Sequence, residues 1–493
     1  MRKLLGFFVC ALLATTACTE QIIIKQGPAP DAPTVDDEEP APTPSPTPPT
    51  PSDPLVVDLG AVQAGVDVPF EVPAGALGFN IVMEGEVADF DQDRPYGIER
   101  IVDPNGKTVH ASFMPVGGTK STSTAAFDTI AAASVPQSEA VAETIPAGKW
   151  TVRFGVENNP SAKPTVYAKV RIQSSGDGAF YGGKLDLHVH VPTGLRVGGA
   201  TVNPAEAASD SRIKERLDLF FQLTTQLLGI ERGEVTFHTA AARFAELDDQ
   251  EILQGFAVSR GAEDGTQALH VLFTNEISQG GQPIAAGISP GIPGAATVFG
   301  RGVSGIIVAT YSSRDEDVLT MFHEAGHFFG LNHTTEFDGQ SADPLADTPR
   351  CNGISGGNLG SCPDRTNIMF PAGAIDGPVT LSPTQKRVYR GSPIYKAFPA
   401  GTKQTQSWSP FAPQAIDLST IRRRFRASGR PLSRVESELS LGYCGLTPID
   451  AGGMVARLGE ATAVAQLSAA ANDLDLSPII RGRAKVALAK LGH

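Results

Sequence analysis

The 493-residue sequence predicts an α/β protein built in parts. An all-β sandwich spans residues 55–175, a unit with a mixed twisted sheet and one long site-bearing helix spans 180–398, and a small α-helical region spans 435–493. Three observations carry the prediction. Residues 55–175 repeat short period-two runs separated by turn sequences, residues 183–330 alternate strand-like and helix-like apolar patterns, and alanine and leucine recur at helical spacing from Gly453 onward. The length, several times the commonest domain size, fits more than one unit. Gly (52) and Pro (38) make up about 18% of the chain, above the roughly 12% of average usage, which favours turn-rich β structure or a long linker. Forty Lys and Arg against 53 Asp and Glu leave a net charge of -13. Nucleic acid is thereby argued against as a partner, because phosphate binding needs a basic surface. With 7% aromatic residues and a mean hydropathy of -0.06, the chain is not a polytopic membrane protein.

The first 18 residues read as an address. Arg2 and Lys3 precede the apolar run Leu4 to Ala14, and Thr15-Thr16-Ala17-Cys18 follows. A basic start, a short apolar stretch and small residues before a cleavage point describe an export signal. The run is too short to span a bilayer, which takes roughly 20 apolar residues. Small residues leading into Cys18 resemble a bacterial lipobox, with Thr15 standing where a Leu is usual. That resemblance implies a lipid anchor on Cys18, in the outer membrane or at the cell surface; the alternative is a secreted protein with an incidental cysteine. Residues 19–54 are a Pro-rich acidic tether. Between Pro28 and Pro54, eleven of 27 residues are Pro, six are acidic and none is Lys or Arg, so the stretch stays extended and self-repelling.

In the predicted sandwich, Val66 to Val72 alternates at period two and Pro73-Ala74-Gly75 stops it. Asp103-Pro104-Asn105-Gly106 is a turn sequence, Lys149 to Phe154 is a strand, and Tyr167 to Ile172 alternates again. The run Pro146 to Val152 resembles the late strand of jelly rolls that accompany secreted proteases. The absence of catalytic residue sets favours a binding or spacing role. Past Gly183, Leu185 to Val191 reads as a strand and Pro204 to Leu228 as an amphipathic helix with Ile213, Leu217, Phe220 and Phe221 at spacings of three and four. Glu234 to His238 and Ala268 to Thr274 are further strands, and Gly305 to Thr310 is a continuous apolar run typical of a buried one. His188, His190 and His270 fall on these strands and read as structural or surface residues.

Ser313 and Glu316 then fit a capping box at the start of a helix. That helix carries His323-Glu324-Ala325-Gly326-His327, followed by Gly330 and His333. Residues four apart share a helical face about 6 Å apart, so His323 and His327 can reach one zinc ion. Glu324 lies beside the first ligand and can reach a water without ligating the metal. Gly330 suits a helix stop, since Gly tolerates the left-handed conformation there, and the reversal returns His333 as a third ligand. Three protein nitrogens leave one position open, as in catalytic rather than structural zinc sites.

The spacing His-Glu-x-x-His-x-x-Gly-x-x-His resembles the metzincin metalloproteases, whose signature precedes a Met-containing turn; Asn367-Ile368-Met369-Phe370-Pro371 is the matching segment. Asp347-Thr348-Pro349 with Cys351 and Cys362 before that turn looks like the pappalysin-type, cytophagalysin-like branch. The resemblance implies a metzincin-type protease fold, one catalytic Zn2+ on His323, His327 and His333, Glu324 as general base and acid, and Met369 as a floor beneath the ligands. It implies a protein or peptide substrate that pairs with an edge strand, for which residues 297–299 are the candidate. Pro371 stands where many relatives have a Tyr two residues after the Met, so neither Tyr389 nor Tyr395 is named as catalytic.

Of five cysteines, Cys10 leaves with the signal and Cys18 is the lipid site. Cys351 and Cys362 form the natural disulfide, and Cys444 is left as a buried thiol without an obvious mate. Residues 55–175 contain no Cys, so a thiolate latch on the metal cannot come from them. Asp338, Asp343 and Asp347 lie in an acidic loop that either binds Ca2+ or stays solvated. Leu381 to Arg390 starts a further helix; residues 399–434 read as a linker in which Arg422, Arg423, Arg424, Arg426 and Arg430 form a solvated basic stretch. The helix pair beyond resembles one HEAT-type repeat. Two function classes follow: an exported, membrane-anchored zinc endopeptidase, or a non-catalytic surface adhesin or binding lipoprotein with a vestigial metal site. The sequence leaves the oligomeric state open.

Overall fold

Alternation of inward and outward side chains builds two antiparallel sheets from the N-terminal third. The computed structural model describes residues 50–85, 96–112, 124–125, 130–141, 144–156, 159, 161–261, 267–296, 304–311, 313–336, 339, 341–352, 354, 358–373, 377–402, 415–444 and 449–493. The expected export signal with Cys18, residues 19–49 of the tether, residues 297–299 and Asp338 lie outside them. Strands β1 (Leu55–Gln63), β2 (Asp67–Val72), β3 (Ala76–Gly85), β4 (Tyr96–Val102), β5 (Thr108–Ala111), β6 (Thr124–Ala125), β7 (Ile130–Val135), β8 (Gly148–Val156) and β9 (Thr165–Ser174) form sheets of order β1-β9-β3-β7-β6 and β2-β8-β4-β5. One apolar core joins them. Trp150, Val152 and Phe154 of β8 all turn into it. The Trp150 ring meets Phe79 edge-on at 5.0 Å, and its Nε1–H donates to the Pro146 carbonyl at 2.9 Å, so burying the indole leaves no stranded donor.

The second body of the fold is a mixed α/β layer. It contains β10 (Gly183–Pro192), β11 (Arg196–Val197), β12 (Ala200–Thr201), α1 (Ser211–Leu228), β13 (Ile230–Ala240), β14 (Glu246–Asp248), α2 (Ile252–Phe256), β15 (Leu269–Thr274), β16 (Glu276–Gln279), β17 (Gln282–Ala285), β18 (Gly287–Ile288), β19 (Ile306–Ala309), α3 (Arg314–Phe329), α4 (Pro383–Gly391) and β20 (Lys396–Ala397). The main sheet runs β13-β10-β15-β19-β18, with β20 also on β10. The first four strands are parallel, and β18 closes the edge antiparallel to β19. The helix expected from Pro204 starts instead at Ser211, because Asp210 is the effective cap and accepts from the Arg212 N–H; residues 204–206 make only one 3₁₀ turn.

One face of this sheet (Leu185, Leu187, Val189 and Val191) packs on α1 and α3 in a single core. Arg216 of α1 and Asp317 of α3 cross that layer as an ion pair of 2.7 Å, with side chains only 5% and 3% exposed. The opposite face carries four imidazoles. His188 and His238 approach to 2.9 Å between ring nitrogens, His190 and His270 to 3.0 Å, and the rings stack. Singly these residues read as ordinary structural or surface histidines; in the fold, His188, His190 and His270 are buried together.

Helices α5 (Arg434–Ser440), α6 (Ala451–Leu458), α7 (Glu460–Asn472) and α8 (Pro478–Lys490) share a core with Ala286, Cys351, Cys362 and Phe370. The basic stretch expected to be solvated is not uniformly so. Ile421, Arg423 and Phe425 turn inward while Arg422 and Arg424 stay exposed, the period-two pattern of an extended segment. Arg426 is also buried and pairs with Glu436 at 2.7 Å, Asp473 at 2.6 Å and Asp475 at 3.2 Å. Among the described residues no helix is long and apolar enough to cross a membrane.

Candidate metal centre

The site is built on α3. Ser313 caps it through a reciprocal capping box with Glu316, and Asp315, Glu316 and Asp317 occupy its first turn, where carboxylates favour the positive end of the helix. From Glu316 to Phe329 every side chain is buried, the polar and charged ones included. Gly330 ends it with φ 112°, and its N–H donates to the His327 carbonyl at 2.9 Å. The reversal brings His333 back over the last turn.

The three imidazoles converge. Ring nitrogens of His323, His327 and His333 all lie within 4.8 Å of one another, and the Nε2 atoms of His327 and His333 are 3.2 Å apart. Every Nδ1 faces an acceptor: the Ile368 carbonyl for His323 at 2.5 Å, the Leu331 carbonyl for His327 at 2.7 Å and the Glu336 carboxylate for His333 at 3.2 Å. These acceptors favour the Nδ1–H tautomer, which turns the Nε2 atoms toward their shared space. His323 Nε2 is buried and has no hydrogen-bond partner. Burial, reinforced by the neighbouring imidazoles, drives His323 well below the usual histidine range, and holds His327 at about 3. Neutral, buried nitrogens aimed at one point are what a divalent ion requires, so the residues fit the group.

Glu324 is 1% exposed, with both carboxyl oxygens buried. Burial pushes it up to about 8, opposed by the Arg423 guanidinium, the Cys444 thiol and the Ser289 N–H. Met369 lies under the helix: a Cβ at Gly326 would collide with its Sδ. Its segment is pinned by Asn367, whose side chain accepts from the Met369 N–H at 2.9 Å and donates to Gln385 at 2.7 Å. Cys351 and Cys362 are disulfide-bonded.

Asp343 accepts from Thr348, and Asp347 accepts from Ser382 and the Thr384 N–H at the start of α4. Each is engaged separately, and among the described residues neither belongs to a group of metal-competent side chains. Tyr389 and Tyr395 are core residues; Tyr389 stacks on Phe329 at 3.9 Å and Tyr395 donates to the Arg390 carbonyl at 2.5 Å. Sequence reasoning missed Glu336, Asp364, Arg423 and the position of Cys444. Asp364 accepts from Thr334 at 2.5 Å and Thr335 at 3.2 Å, tying the chain after His333 to the disulfide loop.

No family model matches the chain, and no curated protein matches it. Among solved structures it is similar to metalloproteinase-II from Bacteroides fragilis, with 16% identity and a TM-score of 0.24 over 32% of this chain; it spans 46% of that structure's length. The fold and site therefore define a mixed α/β protein with a buried three-histidine group able to hold a metal ion.

Proposed function

We propose that the chain is a zinc-dependent endopeptidase of metzincin type, on the pappalysin-like side of that group. The observation that carries the reading is the convergence of three imidazoles, each oriented through Nδ1, beside the buried Glu324 carboxylate. When bound, a zinc ion supplies Lewis acidity, which polarises a carbonyl and lowers the pKa of water. Glu324 takes the proton of the attacking water and hands it to the leaving amine. The burial of Glu324 keeps competing solvent away, and the Met369 thioether supports the helix turn that presents His323 and His327. In the same reading, residues 1–18 are an export signal ending at a lipidated Cys18, and residues 19–54 are a tether. Residues 55–175 are a jelly-roll-like sandwich, 180–398 the protease unit, 399–434 a connecting segment and 435–493 a HEAT-like helical region.

Glu324→Ala tests the chemistry. The variant should bind zinc with the wild-type stoichiometry and lose chelator-sensitive cleavage of an unfolded protein substrate. Undiminished cleavage by that variant sinks the assignment.

A further inference from the structure

A helix C-terminus leaves its final carbonyls without donors inside the helix, and they must be satisfied from elsewhere. At the end of α3 the Leu331 N–H donates to Gly326 and the Gly330 N–H to His327, both at 2.9 Å. Phe328 is served by a separate turn, through the Gly294 N–H at 3.0 Å. That turn lies tight on the helix, since a Cβ at Gly294 would collide with the Phe328 ring.

The Gly330 carbonyl is reached from the N-terminal sandwich. Gln137 lies just past β7 and is 8% exposed. Its Nε2 donates to the Ile292 carbonyl at 3.1 Å and to the Gly330 carbonyl at 3.5 Å. An amide nitrogen carries two donors, so one side chain ties the helix stop to the turn that serves Phe328. A Cβ at Gly330 would stand 3.8 Å from Ser134 of β7, 3.8 Å from Pro293 and 3.5 Å from Val388 of α4. Sandwich, turn and helix thus enclose the stop. The Glu139 carboxylate reaches further along the same chain, accepting from the Ala346 N–H at 2.7 Å in the loop beyond His333. Elsewhere the sandwich is seated as closely. A Cβ at Gly78 would collide with the Gly391 carbonyl, and buried Gln173 donates to the carbonyls of Tyr395 at 2.6 Å and Ser392 at 3.3 Å.

Two imidazoles depend on where Gly330 sits. The next carbonyl, that of Leu331, orients His327 through Nδ1 at 2.7 Å, and the reversal at φ 112° returns His333. We infer that Gln137 is a positioning residue of the metal centre, holding the helix stop through the Gly330 and Ile292 carbonyls. The N-terminal sandwich is then a structural member of the centre, not a separate spacer or binding module. The inference rests on the metal-site half of the zinc-protease reading and adds to it a residue from outside 180–398. With an apolar side chain at 137 both carbonyls lose this donor, and the stop is free to move with His327 and His333 attached to it.

The test titrates the metal-free full chain with Co2+ and reads both affinity and the d–d absorption spectrum, which reports ligand geometry. Gln137→Met keeps the length of the side chain and removes the donor. Gln173→Met does the same at a contact that involves neither α3 nor the loop beyond His333. Gln137→Met should bind cobalt about tenfold more weakly, the scale of losing a support behind a ligand, and with an altered spectrum. Gln173→Met should keep the wild-type affinity and spectrum even if its metal-free form unfolds at lower denaturant. Gln137→Asn, one methylene short of both carbonyls, should repeat the cobalt effect with less disturbance of packing, and decides the matter if Gln137→Met does not fold. Wild-type affinity and spectrum in the Gln137 variants overturn the positioning role. Equal losses in Gln137→Met and Gln173→Met also overturn it, in favour of general stability. Cobalt differences as expected, in a wild type that cleaves no protein substrate when loaded with zinc, leave the positioning role standing and overturn the protease reading. Failure of wild type to bind cobalt at all removes the metal centre and both readings with it.

Discussion

Met369 Sδ occupies the space that a side chain at Gly326 would need. Helix and Met-containing turn therefore meet one turn of α3 beyond His323, between the two helical imidazoles. Gly326→Ala should gain about 1 kcal/mol in helix propensity and lose more through overpacking, for a net destabilisation of about 1–3 kcal/mol. Thermal unfolding measures it. Combining the change with Met369→Ala should recover part of the loss, and strictly additive losses contradict the contact.

The Arg216–Asp317 pair is buried on both sides, so it is not screened like a surface ion pair. Asp317→Ala leaves a guanidinium uncompensated in the core and should cost about 3–5 kcal/mol, whereas the paired replacement Arg216→Met with Asp317→Leu should cost far less. Denaturant unfolding of both variants separates the outcomes. A small loss for Asp317→Ala would show that water reaches the pair.

What was legible in the sequence follows from what is local. The i, i+4 spacing of His323 and His327, the Ser313–Glu316 box and the Gly330 stop are all settled within one helix, and α3 has those features. The strands around Trp150 and Val189 were legible for the same reason, their period of two. The Nδ1 acceptors of His323 and His327 were not, because they are backbone carbonyls of Ile368 and Leu331 and any residue supplies a carbonyl. Arg423 and Arg426 looked solvated because local composition ranks them among charged neighbours. Their partners Cys444, Glu436, Asp473 and Asp475 become neighbours only when the C-terminal helices pack. The reach of Cys444 to Glu324 is likewise a product of packing alone.

The imidazole cluster on the main sheet makes stability depend on acid. Burial, with His270, His238 and His188 nearby, lowers His190 from 6.5 to about 2. Between those values the unfolded chain binds a proton that the folded chain refuses, so stability rises with pH across the window. The contribution is complete above about 6.5 and is lost progressively as pH falls towards 2. The denaturant midpoint should therefore decline from about pH 7 to about pH 4, and less steeply in His190→Gln. Equal slopes for the two proteins contradict the assignment.

Glu336 orients His333 through Nδ1. Glu336→Ala should weaken metal binding by about 10–100-fold, the usual cost of losing such a support, as read by competition with a chromogenic chelator. Affinity equal to wild type would mean that His333 is held by packing alone.

The most direct measurement is metal content. The full chain purified without added metal should carry one zinc per molecule by elemental analysis, and His327→Ala should carry none while keeping its fold by circular dichroism. Zinc-free wild type that also fails to take up zinc on titration, or unchanged zinc in His327→Ala, contradicts the convergence of His323, His327 and His333 upon a metal.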